Sequence, residues 1–229
     1  MDHDDHNASP FNAMPPVVWA FAGAILAIEL LFQGAERGLI GGPGGIGWRV
    51  DAITSFGFFD SIFGWMIETG NMPPEHLLRF VSYLFVHGSF THAAFAIVMA
   101  LAIGKMVAEA FSSLGFLMIT LLSSIAGALA YGIFLSDKQP LFGAFPAIYG
   151  LIGALTYMLW VRAKVEGTNQ LNAFAMISVL MGIQLVFKLL FGGGNDWVAD
   201  IAGFAMGFGI SLAIAPGHAV AALNRIRRR

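Results

Sequence analysis

The chain has 229 residues, of which 57% are hydrophobic and 11% charged, with a mean hydropathy of +0.74 and a formal net charge of −2. Soluble domains carry roughly a quarter charged residues, so an ordinary soluble enzyme or binding module is excluded, and no basic domain is present to hold nucleic acid. Cysteine is absent, which removes disulfides and thiolate metal sites.

A helix needs about 20 mainly apolar residues to cross a hydrocarbon core. Six segments meet that need, at about 16–33, 82–104, 113–135, 146–163, 171–190 and 197–216. The expectation is a single all-α integral membrane domain over 16–216. Residues 1–15 are expected to be a disordered tail, and 217–229 a basic one. Met1 to Pro16 is acidic, with Asp2, Asp4 and Asp5, and lacks the basic start of a cleaved signal peptide. If the N-terminus is cytoplasmic, Lys105, Arg162, Lys164, Arg225, Arg227, Arg228 and Arg229 fall inside. Arg37, Arg49, Arg79, Lys138 and Lys188 then fall outside. Seven against five predicts both termini on the cytoplasmic side of a membrane, read as a bacterial cytoplasmic membrane.

In the first segment Glu29 stands among Ile25, Leu26, Ile28, Leu30 and Leu31. An ionisable group there faces protein or reaches for the interface. The long connection 34–79 opens on the breaker Gly41-Gly42-Pro43-Gly44-Gly45. It continues with Phe56, Phe58, Phe59, Phe63 and Trp65, an aromatic, weakly charged stretch suited to the headgroup region.

The second segment opens on His87-Gly88-Ser89-Phe90-Thr91-His92-Ala93-Ala94-Phe95-Ala96. The third contains Ser123, Ser124 and Gly127, and ends near Ser136-Asp137-Lys138. The fourth opens on Gly143-Ala144-Phe145-Pro146-Ala147-Ile148-Tyr149-Gly150. The fifth is plain apart from Asn172, Gln184 and Lys188, and Gly192 to Asp196 make a cap loop after it. The sixth reads Trp197-Val198-Ala199-Asp200-Ile201-Ala202-Gly203, with Gly207 and Gly209 following. Gly203 and Gly207 form a small-residue stripe that lets another backbone approach closely.

Over roughly residues 15–216 this pattern resembles the rhomboid intramembrane serine proteases. That family carries a Gly-x-Ser-Gly serine and an Ala-His-x-x-Gly histidine as a catalytic dyad. A second histidine and an asparagine help form its oxyanion hole. His87 and His92 match the two upstream histidines, and Tyr149 stands four residues after the serine position. Arg79 holds the place of the arginine in a Trp-Arg pair, with Leu78 instead of the tryptophan. Trp48-Arg49 has the right letters but lies too far upstream to be equivalent. Phe145 stands for the serine, Asp200 for the histidine and Ala96 for the asparagine. A phenyl ring cannot attack a carbonyl, and a carboxylate does not reproduce a serine–imidazole pair. Pro146 also removes a backbone N–H while suiting a first helical turn. The resemblance implies a six-helix fold, a first external loop half-immersed in one leaflet, and the fourth helix against the glycine face of the sixth.

Asp200 at membrane depth calls for a partner. His87, His92 and Tyr149 are the candidates that such a fold brings near. A structural polar cluster, a recognition pocket, and a metal site of two histidines and a carboxylate remain open readings. No cofactor or metal is expected. The leading functional expectation is a rhomboid-fold pseudoprotease that binds membrane-protein partners within the lipid bilayer without cutting them. A rhomboid-type serine endopeptidase with rebuilt chemistry and a structural subunit of a larger membrane complex are the alternatives.

Overall fold

The computed structural model describes residues 13–135, 139–191 and 194–214. The acidic N-terminal tail, the Ser136–Lys138 link, Gly192-Gly193 and the basic C-terminal tail lie outside these residues. The described chain forms eight α-helices: α1 (Pro16–Glu36), α2 (Trp48–Phe56), α3 (Asp60–Thr69), α4 (Pro74–Ser82), α5 (Phe90–Phe134), α6 (Phe145–Glu166), α7 (Ala175–Phe191) and α8 (Trp197–Ile214). Four of these, α1, α5, α6 and α8, are long and apolar enough to cross a membrane.

At 45 residues, α5 exceeds one crossing, and it is broken at Ser112, which takes φ 72° and ψ 170°. The Ser112 hydroxyl accepts the Gly115 N–H at 3.4 Å and so caps the second half. The halves pack against each other. A Cβ built on Gly104 would lie 2.9 Å from the Phe116 ring, whereas 12 residues of unbroken helix would separate them by about 18 Å. Val18 of α1 closes on the same glycine from the other side.

Two element starts differ from the sequence expectation. The second apolar segment becomes helical only at Phe90, not near residue 82, because Ser89 is extended and its hydroxyl caps the His92 N–H at 3.2 Å. Residues 83–85 form a 3-10 turn before it. Likewise Gln170–Phe174 is a 3-10 turn, and α7 begins after it. The connection 34–79 is not a bare loop. It folds into α2, α3 and α4, with Phe58, Phe63 and Phe80 packed ring to ring at 4.9–6.0 Å. Phe56 and Trp65 stay exposed, along with Ile67, Leu77 and Leu78. Arg79 of α4 donates to the Thr54 and Gly57 carbonyls at 2.9 and 2.7 Å, satisfying the end of α2.

The centre of the bundle is α6, the most enclosed of the four long helices. It packs on both α5 and α8. A Cβ at Gly203 would overlap the Pro146 carbonyl oxygen, and one at Gly207 would overlap that of Gly150. Gly153 returns the contact, since a Cβ there would overlap the Phe204 carbonyl oxygen. Backbone therefore lies on backbone along this seam.

Gly207→Ala should lower the thermal midpoint in detergent micelles, by an amount corresponding to about 1–3 kcal/mol of overpacking. Gly209→Ala, on the same helix with open space around it, should change the midpoint little.

Candidate functional site

The segment between α5 and α6 carries the site, and three backbone ties hold it. Leu141 pairs antiparallel with Phe58, exchanging hydrogen bonds of 2.8 and 3.0 Å. The Gly143 N–H donates to the Tyr83 carbonyl at 2.9 Å. The Ala144 N–H donates to His87 Nε2 at 3.2 Å. Tyr83 is in turn fixed by its hydroxyl, which donates to the Ser124 carbonyl at 2.9 Å. Gly143 is the sharp point of this segment. It takes φ +100°, and a Cβ there would lie 2.8 Å from the His92 ring. Only glycine meets both conditions at no cost.

Accepting the Ala144 N–H fixes the protonation pattern of His87: Nε2 is the unprotonated nitrogen of a neutral ring. His87 is buried, and its ring meets His92 edge-on at 5.1 Å. His92 then stacks on Phe145 at 5.1 Å with 23° between the ring planes. Phe142 covers His92 from a third direction at 6.0 Å. His87, His92 and Phe145 thus meet in one place through their rings. Ala96 is fully buried and adds no polar atom.

Asp200 lies in the first turn of α8 and is 1% exposed. Its Oδ2 accepts the Gln184 amide N–H of α7 at 2.8 Å. Tyr149, also buried, lies within its electrostatic reach. Of the four residues expected to cluster, the structure joins His87 to His92 and places Tyr149 by Asp200. The hydrogen bond of Asp200 goes to Gln184 rather than to a histidine. Among the described residues, no group of three or more His, Asp or Glu side chains is placed to hold a metal ion.

Sequence reasoning missed a second buried charge centre. Arg49 of α2 is almost fully buried and forks onto Glu29 of α1 with two bonds of 2.8 Å. It also pairs with Glu36 and donates to the His87 carbonyl at 2.8 Å. The hydrogen bonds that Arg49 donates to Glu29 hold the guanidinium above its ordinary range of proton affinity. Nothing local in the sequence announces a pair 20 residues apart. The usable signal was Glu29 itself, an acid in an apolar helix that requires a cation. Gln184 could have been found in the same way from Asp200.

These observations define a class first: a helical membrane bundle in which a glycine-seamed pair, α6 and α8, packs beside α5 with a buried histidine pair at the α5 and α6 starts. Residues 74–217, more than half of the chain, match the family description "Rhomboid domain". The chain belongs to the rhomboid family. Among curated proteins, none matches it.

Removing Arg49 leaves Glu29 uncompensated in the interior, and Arg49→Ala should destabilise the detergent-solubilised protein by about 3–5 kcal/mol. The exposed Arg162–Glu166 pair is the internal control. Arg162→Ala should change stability by only about 0.3–0.5 kcal/mol. Equal effects for the two variants in chemical or thermal unfolding would show that the Arg49 centre is not structural.

Proposed function

We propose that this rhomboid-family chain is a pseudoprotease that binds transmembrane segments of other membrane proteins and does not cleave them. The observation that carries this reading is the Phe145 ring. It lies at the position the family gives to the serine, and it is stacked on His92. Peptide hydrolysis in this fold needs a nucleophile, a base and oxyanion donors in one wet pocket. Phe145 supplies no nucleophile, Asp200 is spent on Gln184, and Ala96 offers no donor. What the chain retains is the scaffold: a buried bundle, an outward aromatic face on α2 to α4, and exposed apolar side chains on α7. A bilayer-embedded partner is the occupant those surfaces suit.

On this reading the bundle crosses the membrane six times, counting α1, the two halves of α5, α6, α7 and α8. Both termini are cytoplasmic, as the lysine and arginine distribution favours. The membrane is a bacterial cytoplasmic one.

Purified protein should leave a transmembrane reporter peptide intact and take up no fluorophosphonate probe, while an active rhomboid protease run beside it cleaves the peptide and is labelled. Phe145→Ser alone should remain inactive, because no histidine accompanies the new hydroxyl on α8. Gentle extraction from native membranes should recover a defined membrane partner in fixed ratio. Cleavage of the reporter, abolished by a single substitution in the bundle, overturns the reading. So does recovery of the protein always without a partner.

A further inference from the structure

Two buried oxygen atoms face a bookkeeping problem in hydrogen bonds. Asp200 Oδ1 and Gln184 Oε1 each lie out of reach of solvent with no donor directed at them. Both belong to residues already joined by one bond, from Gln184 Nε2 to Asp200 Oδ2 at 2.8 Å. Both are acceptors while Asp200 is ionised, so no rotation or amide flip pairs them with each other. A single proton resolves both. A carboxylic acid facing a primary amide closes a ring of two parallel hydrogen bonds, N–H to C=O one way and O–H to C=O the other. An unpaired buried acceptor is expensive, and a bare carboxylate in an apolar interior more so.

We infer that Asp200 carries a proton and forms a neutral two-point acid–amide pair with Gln184, which latches α7 onto α8. The inference stands apart from the client-binding reading and would hold for any activity of the chain.

The latch matters because the backbone of α7 lies close chiefly to the 3-10 turn that precedes it, whereas α1, α5, α6 and α8 pack broadly on one another. Ile177 is buried in the core, and Met176, Leu180 and Met181 pack against it, while Val179, Ile183, Val186 and Leu190 point outward. Among the described residues the acid–amide pair adds a directional tie between α7 and α8 to this non-directional apolar packing. Among the described residues, the titratable groups that bear on Asp200 are Tyr149 of α6, Tyr83 in the turn before α5, and Asp196 in the turn before α8. None of them is a cation that would hold Asp200 ionised. Losing the proton would remove one of the two bonds and put a buried charge between α7 and α8, so the two-point form of the latch exists only while Asp200 is protonated.

The chain contains no cysteine, so Val186→Cys on α7 and Ile201→Cys on α8, both at exposed positions, can carry spin labels without background. The label–label distance distribution should be narrow in the otherwise native sequence. It should stay narrow in Asp200→Asn, which preserves a two-point amide–amide pair, and broaden in Asp200→Ala and Gln184→Leu. Infrared difference spectra should show a protonated-carboxyl C=O band that Asp200→Asn removes. Absence of that band overturns the inference, as does an α7 that is equally ordered in Gln184→Leu. Should Asp200→Ala fail to fold, Gln184→Leu and the infrared band still decide the matter.

Discussion

At the glycines where α6 and α8 touch, no side chain separates their backbones. Pro146 and Gly150 present their carbonyl oxygens to Gly203 and Gly207, and Gly153 faces the carbonyl of Phe204. This fixes the two helices in register and in depth, because any added carbon would push them apart. The register decides what stands at the top of the seam. Phe145 begins α6 and Asp200 lies in the first turn of α8, so one close contact places both residues. Packing and small-residue complementarity are the principal forces available for such a contact in a membrane, since lipid is as apolar as the side chains.

The surface segment reaches the same site by polar means. Phe58 bridges to Leu141, Arg49 donates to the His87 carbonyl, and Tyr83 receives the Gly143 N–H. Each tie joins residues far apart in sequence, and each ends on the segment leading to α6 or on the one leading to α5. Arg49 carries the greatest electrostatic stake. Its two acids, Glu29 and Glu36, flank the end of α1, so a single guanidinium couples α1, α2 and the histidine segment. A planar five-donor group suits this task in a way an ammonium does not, because the fork engages three acceptors at once.

Much of this was legible in the residues. The apolar runs gave the long helices, the glycine stripe gave a close backbone approach on α8, and the family resemblance gave α6 as its neighbour and His87 and His92 as the neighbourhood of the site. The rest was hidden for physical reasons. Helix starts at Phe90 and Ala175 depend on a cap and a 3-10 turn, which hydropathy does not register. The partners of Glu29 and Asp200 lie 20 and 16 residues away, on different helices, where no periodicity links them. The connection before α4 looked irregular because its helices are short, and their apolar residues serve two ends: Phe58, Phe63 and Phe80 pack inward while Trp65 and Phe56 face out.

The polar groups that the fold retains are spent on the protein itself. His87 receives a backbone N–H from the residue preceding Phe145, and so acts as a splint for the start of α6. A histidine used in this way must stay neutral at Nε2, which is opposite to what a stabilising cation near a developing oxyanion would require. His92 lies flat against the Phe145 ring, so its face is occupied by hydrocarbon. Asp200 turns its carboxyl to an amide on α7. In each case the side chain closes a contact between two parts of the chain. The same residues therefore hold the bundle's shape around the site, together with the α6–α8 backbone seam and the buried Arg49 guanidinium.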